Sequence, residues 1–237
     1  MVTVEKVLND IEKNQMAPVY LVLGEEQVNA EKIKQKLIAN FPEEEREFNI
    51  GIYDMEEVTL STALADAMSV PFFGEKRLVF INRPYFLTGE AKKVKLEHDL
   101  DELIAYVNDP EPTTVLVLMA PYAKLDERKK VVKQIKQKAV VVDNSPLTEM
   151  AVRKHLLAEL AQKGYTIDPR ALEILLQRTD ANLTAIANEL PKLLLVAEDK
   201  QITVNEVSAM VSRSLEQNVF DLVELVLQKD TAKALEL

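Results

Sequence analysis

Cysteine is absent from the 237 residues, so the chain can build neither a disulfide framework nor a thiolate zinc site. Histidine occurs twice, at His98 and His155, which excludes a multi-histidine metal centre. The five glycines, at 24, 51, 74, 89 and 164, stand singly. A glycine-rich phosphate loop needs them clustered, because only then can backbone N–H groups close around a phosphate. No apolar run reaches the ~20 residues of a membrane span, and the N-terminus MVTVEKVLNDIEK is acidic and amphipathic, unlike a signal or transit peptide. Positive charge is also short. With 29 Lys+Arg against 39 Asp+Glu, the net charge is −10, which disfavours nucleic-acid binding by phosphate neutralisation and leaves only a local basic face for it. What is present is globular in composition, 47% hydrophobic and 29% charged. A chain of this length buries about 70% of its unfolded surface without metal or disulfide. The expectation is a soluble, cytoplasmic protein of one large or two small domains.

Residues 1–145 alternate between helical and strand patterns. An opening helix carries Val4, Val7, Leu8 and Ile11; PVYLVLG (18–24) then reads as a buried strand. A helix over 26–40, a strand FNIGIYD (48–54) and a helix from Thr59 to Met68 follow. Pro71 ends that helix by pushing its predecessor out of the α region. KRLVFI (76–81), TTVLVLM (113–119) and AVVVD (139–143) are further strands, and Asp126 is placed to cap a helix running to about Lys138. Segment 83–98, with Tyr85, Phe86, Lys92, Lys93 and Lys95, breaks the alternation and reads as an irregular loop. Continuous apolar strands separated by helices predict an α/β fold with a parallel sheet covered on both faces.

From Pro146 the strand signal vanishes, predicting a small all-helical domain. One helix spans about 147–163 and stops at Gly164; Asp168-Pro169 opens a second; Asn182 caps a third that contains Pro191 and is expected to kink there; Thr203 and Glu206 form a capping box for a fourth. Asn218 starts another helix, and Asp230-Thr231 opens one that stops about two turns in, at Leu237. The chain therefore reads as a fragment of a longer protein.

A strand, a glycine and a helix followed by alternating α/β and a helical lid outline an ATPase module, so Gly24 is where a phosphate loop would begin. The pattern G-x-x-x-x-G-K-[ST] places Asn29, Ala30 and Glu31 where Gly, Lys and Ser/Thr belong. The phosphate-binding lysine is missing, and a carboxylate is expected to face the phosphate position. The strand at 113–119 ends in Met119-Ala120 instead of an acidic Mg²⁺ ligand. Neither a G-x-S-x-G elbow nor an H-E-x-x-H pair occurs. The runs of acid, such as Glu43-Glu44-Glu45, read as solvated surface, and the two histidines as surface or capping residues. No catalytic residue and no cofactor is predicted.

The blocks PVYLVLGEE (18–26), AMSVPFFGEKRLVFI (67–81), KLDERKKVVKQIKQ (124–137), LTAIANELPKL (183–193) and NVFDLVELVL (218–227) resemble the delta subunit family of bacterial DNA polymerase III, in its Gram-positive form, across essentially the whole chain. The PFFG-E-x-RLVFI and NVFDL blocks are the most specific. The resemblance implies an AAA+-like domain I over 1–145, with a degenerate P-loop at Gly24, Asn29, Ala30 and Glu31. It further implies a helical lid domain II over 146–212 and, from 213 to 237, the start of a truncated C-terminal collar domain. It also implies a clamp-loader subunit that binds no ATP, binds the beta sliding clamp and opens it for loading on primer–template DNA. The other loader subunits, tau/gamma and delta-prime, would join through the missing C-terminal domain.

The family's clamp-binding element is a helix end and the turn after it. In this sequence it matches Met68, Ser69, Val70, Pro71, Phe72 and Phe73, with Val70, Phe72 and Phe73 as alternative anchors. Two adjacent Phe side chains cannot both point inward from an extended turn, so at least one is expected in solvent. Arg128, Lys129, Lys133 and Lys136 form a positive stripe that reads either as a solvated helix face or as contacts to DNA phosphates. Two rival readings stay open: an ATPase-type loader subunit with an atypical nucleotide site, and a scaffolding module.

Overall fold

The structure, a computed structural model, describes residues 1–89 and 96–212. The Lys92, Lys93 and Lys95 cluster and the collar segment 213–237 lie outside the described residues. Two compact units divide at Ser145/Pro146.

The first unit is a six-stranded sheet in the order β1(Val2–Thr3), β6(Val140–Asp143), β2(Val19–Leu23), β5(Thr114–Ala120), β4(Arg77–Asn82), β3(Ile50–Asp54). Every neighbouring pair is parallel. The pattern of the central strands dictates this arrangement. All five residues of β2 are buried, as they must be when helices cover both faces of a parallel sheet. Alternate side chains then sort into two cores. Val19, Leu21, Leu23, Val79, Ile81, Leu116 and Leu118 face one layer, built from α4(Leu60–Ala67), α5(Leu100–Asn108) and α6(Lys130–Lys138). Tyr20, Val22, Leu78, Phe80, Val115 and Val117 face the other, built from α1(Val4–Glu12) and α2(Gln27–Ala39).

Three details of this unit depart from the sequence reading. Phe48 and Asn49, placed in a strand, instead end a helix α3(Glu43–Asn49). Its first turn holds Glu43, Glu44 and Glu45, where acidic side chains complement the helix dipole. Asp126 does not cap α6, which begins four residues later. Its carboxylate instead folds the chain locally by accepting from the Arg128 backbone N–H at 3.1 Å. Part of the expected irregular segment is ordered, with a tight helical turn at Tyr85–Leu87, and α5 follows it, capped by Asp99.

In the second unit, α7(Glu149–Gln162) is capped by Thr148. It ends in a Schellman motif at Gly164 (φ +76°): Tyr165 N–H donates to the Leu160 carbonyl at 2.8 Å and Gly164 N–H to that of Ala161 at 3.0 Å. Asp168 caps α8(Pro169–Arg178), with Pro169 in its first turn. Asn182 caps α9(Leu183–Val196), which continues through Pro191 as one helix. Thr203 N–H donates to Glu206 at 2.6 Å at the start of α10(Val204–Met210). The unit is not all-helical. Thr166–Ile167 (β7) and Gln201–Ile202 (β8) form a two-residue parallel ladder. Strands of two residues are too short to show a period of two, so their sequence carries no strand pattern.

Candidate functional site

The end of α4 and the turn after it place a set of apolar side chains in solvent. Met68 caps the helix, with its N–H on the Leu64 carbonyl at 2.9 Å, and Ser69 Oγ donates back to the Ala65 carbonyl at 2.8 Å. Pro71 prevents continuation. Gly74 (φ +67°) reverses the chain where any Cβ would meet the Glu45 carboxylate at 2.3 Å. Between these stops, Met68 is 60% exposed, Val70 74%, Phe72 70% and Phe73 49%. Both phenylalanines are therefore outside. Isolated apolar side chains on a surface are ordinary, but a contiguous group marks an interaction site.

A third ring, missed in the sequence reading, joins them. Phe48 at the end of α3 stacks on Phe72 (centroids 5.5 Å apart, 23° between planes) and meets Phe73 edge-on (5.4 Å, 82°). Phe72 and Phe73 are themselves edge-to-face at 4.7 Å. The polar support lies beneath. Asn49 is fully buried; its side chain accepts from Phe72 N–H at 2.9 Å and donates to the Phe73 carbonyl. Arg77, the first residue of β4, donates to the carbonyls of Val70 and Phe48, both at 3.1 Å, and pairs with Asp66 at 2.9 Å. Met68 also lines a groove of about 820 Å³ between α4 and α5, rimmed by Glu102, Asp109 and Glu111.

The second place of interest is the phosphate-loop position at the carboxyl ends of the strands. There Gly24, Ala30, Asp54, Asn82, Arg83 and Asn144 line a cavity of about 260 Å³. Several backbone donors at this position are already engaged. Gly24 N–H donates to the Ala120 carbonyl at 3.1 Å and Glu26 N–H to that of Asn144 at 3.2 Å. The buried Asn144 side chain donates to the carbonyls of Gly24 and Glu26, at 3.2 and 2.9 Å. A Cβ on Gly24 would fall 2.1 Å from the Asn144 backbone, so this glycine serves close packing of the loop and not ligand approach. The carboxylate at the N-terminus of α2 is Glu26, buried and accepting from Val28 N–H at 3.3 Å. Glu31 does not face the phosphate position; it is exposed and accepts from Gln35 at 2.5 Å. The chain thus puts its own negative charge where a helix N-terminus would draw an anion. Asn29 is buried within α2.

The basic stripe is less free than its sequence suggests. Asp126 binds Arg128 through two hydrogen bonds of 2.9 Å, which holds the Asp126 carboxyl down at about 2. Lys129 donates to the carbonyls of Phe86 and Thr88, at 2.8 and 2.7 Å, and Lys136 pairs with Glu127. Lys133 alone of the four is exposed with no such bond among the described residues. His98 caps a helix: its Nδ1 accepts from Leu60 N–H at 3.1 Å, and its Nε2 lies 3.1 Å from the Met55 carbonyl and 2.9 Å from the Tyr85 hydroxyl. Among the described residues, no group of three or more His, Asp or Glu side chains is placed to hold a metal ion. None of their helices is long and apolar enough to cross a membrane.

Residues 20–145 match the family model of the DNA polymerase III delta subunit. The chain is 38% identical, over 236 residues, to DNA polymerase III subunit delta of Bacillus subtilis (strain 168), covering 98% of this chain and 67% of that one. Among solved structures it is similar to the B. subtilis DNA clamp loader delta protein, with a TM-score of 0.73 and 35% identity, covering 98% of this chain and 69% of the other. At the level of fold alone it resembles the Thermotoga maritima RuvB Holliday junction branch migration motor, with a TM-score of 0.50 and 14% identity over 87% of this chain and 67% of that one. The α/β unit is thus AAA+-like in architecture.

Proposed function

The chain belongs to the DNA polymerase III delta subunit family, and on that premise we propose that it binds the sliding clamp through the turn 68–73 and opens the ring without nucleotide chemistry of its own. The observation that carries this reading is the exposed aromatic cluster of Phe48, Phe72 and Phe73 beside Val70 and Met68. It stands on the segment that matches the family's clamp-binding element. Folding gains little from leaving such rings in water, whereas an apolar pocket on a partner would bury them. Aromatic anchors of this kind commonly contribute 2 kcal/mol or more, by order of magnitude, to an interface.

Opening then follows from differential affinity. A subunit that binds the open clamp better than the closed one shifts the equilibrium by that difference, so the step itself consumes no ATP. The phosphate-loop geometry supports this division of labour, since the Gly24, Glu26 and Val28 N–H groups are bonded within the protein and Glu26 sits at the helix N-terminus. On this reading ATP is used by other loader subunits, which join through the C-terminal domain of the family. Of Arg128, Lys129, Lys133 and Lys136, Lys133 is the one most available to DNA phosphates within the assembly. The test is binding of the clamp from the same organism, without nucleotide, by the chain and by its Phe72→Ala/Phe73→Ala variant. Binding that survives in the variant would move the contact away from this turn.

A further inference from the structure

Phe48 and Asn49 lie outside the segment 68–73, yet their side chains hold that segment in shape. The Asn49 amide clasps the turn in both directions, accepting from Phe72 N–H at 2.9 Å and donating to the Phe73 carbonyl. Only an amide in this orientation satisfies both groups. A carboxylate would set oxygen against the Phe73 carbonyl, and an aliphatic side chain would leave both backbone groups unpaired. Arg77 adds a second clasp, to the carbonyls of Val70 and Phe48. The end of α3 and the turn are therefore tied together on two sides. The Phe48 ring rests against both partner rings and is still 46% exposed. The cluster thus presents three rings outward, one of them contributed 24 residues before Phe72.

We propose that Phe48 is a contact ring of the clamp-binding surface and that Asn49 is a positioning residue, which orients Phe72 and Phe73 before the clamp arrives. This rests on the clamp-binding reading above and extends it to α3. An apolar turn left to itself in water samples many arrangements, and ordering it on binding weakens affinity in proportion to the fraction that is competent. A buried amide that fixes the turn beforehand removes that loss. The partner surface implied is an apolar pocket wide enough for a stacked pair of rings, rather than a slot for one side chain.

The test is the affinity of the chain for its own sliding clamp, without nucleotide, in Phe48→Ala, Asn49→Asp, Phe73→Ala and Asn49→Asp/Phe73→Ala, each with a melting curve. Phe48→Ala is expected to weaken binding about tenfold in a chain that still melts cooperatively, at a lower temperature because about half of Phe48 is buried in the fold. Asn49→Asp is expected to weaken binding by a similar factor, but to have a clearly smaller effect once Phe73 is already gone, because part of its effect acts through that ring. Hydrogen exchange at the Phe72 amide of the unaltered chain checks the clasp without any substitution; slow exchange is expected in spite of the exposed turn. Wild-type affinity in Phe48→Ala and Asn49→Asp, with binding lost in Phe72→Ala/Phe73→Ala, would overturn this inference and leave the clamp-binding reading standing. Effects of Asn49→Asp and Phe73→Ala that simply multiply, or an unprotected Phe72 amide, would overturn the positioning role. Failure of the unaltered chain to bind the clamp would overturn both.

Discussion

Arg77 joins the exposed turn 68–73 to the folded core, and replacing it by methionine measures how firmly. The side chains of Arg77 and Asp66 are only 13% and 15% exposed and lie 2.9 Å apart. Arg77→Met keeps the aliphatic stem and removes the guanidinium, leaving Asp66 charged and mostly shielded from water. Breaking a buried pair on one side costs about 3–5 kcal/mol, because the remaining charge is uncompensated. The residual exposure of Asp66 and its remaining hydrogen bond with Tyr53 place the expected loss at the lower end, about 3 kcal/mol. The carbonyls of Val70 and Phe48, which also lose a donor, regain water at the surface and add only roughly 0.5 kcal/mol each at most. Against a typical total of about 5–15 kcal/mol, that is a large change, readable as a lower urea midpoint with unchanged slope. In an Asp66→Asn background the same substitution should cost less by about 1–2 kcal/mol, since the stranded charge is gone. A loss below about 1 kcal/mol, or additivity of the two substitutions within about 0.5 kcal/mol, would show that the pair is not what anchors the turn.

His98 provides a pH dependence with a defined sign. Burial lowers its pKa below the ordinary histidine value, and the hydrogen bond to the Met55 carbonyl only partly offsets this. The unfolded chain therefore takes up the proton first, near pH 6.5. Stability is fully present above that pH and falls as the pH drops from about 6.5 towards the lower folded value. Urea midpoints between pH 7.5 and 5 should fall less steeply in His98→Gln; equal slopes would remove His98 as the cause. On the folding side, Phe72→Ala should cost little. With 70% of the residue already exposed, roughly 60 Å² is buried, or about 1.5 kcal/mol at about 25 cal/mol per Å². Burial of the rest in a clamp pocket would be worth up to about 3.5 kcal/mol by the same measure. The variant should therefore be impaired in binding far more than in unfolding by denaturant, and the reverse order would place Phe72 in the fold.

The central sheet was legible because β2, β4 and β5 are buried on both faces and so read as unbroken apolar runs. Caps at Asp168, Asn182 and Thr203, and the glycine at 164, were legible because each is a local device whose partners lie within a few residues. What escaped was long-range. Asn49 lies 23 residues from Phe72 along the chain, and nothing in EREFN announces that its amide is buried beneath another turn. Phe48 reads as the start of a strand because the helix that carries it has only seven residues, too few to show a period. Glu26 and Glu31 are alike in sequence, and only the start of α2 at Gln27 decides which carboxylate sits at the helix N-terminus. The ion pairs of Arg128 and Lys136 turn on side-chain conformation, which charge patterning does not encode.

Opening of the clamp by this chain in the absence of any nucleotide tests the central claim most directly. A closed clamp labelled across one interface with a fluorescent pair, or trapped on nicked circular DNA, reports ring opening as a loss of transfer or as release from the circle. Opening is predicted to rise with added chain, to saturate, and to be unchanged by ATP, while Phe72→Ala/Phe73→Ala produces none at the same concentration. Opening that required ATP, or tight binding that left the ring closed, would contradict the account.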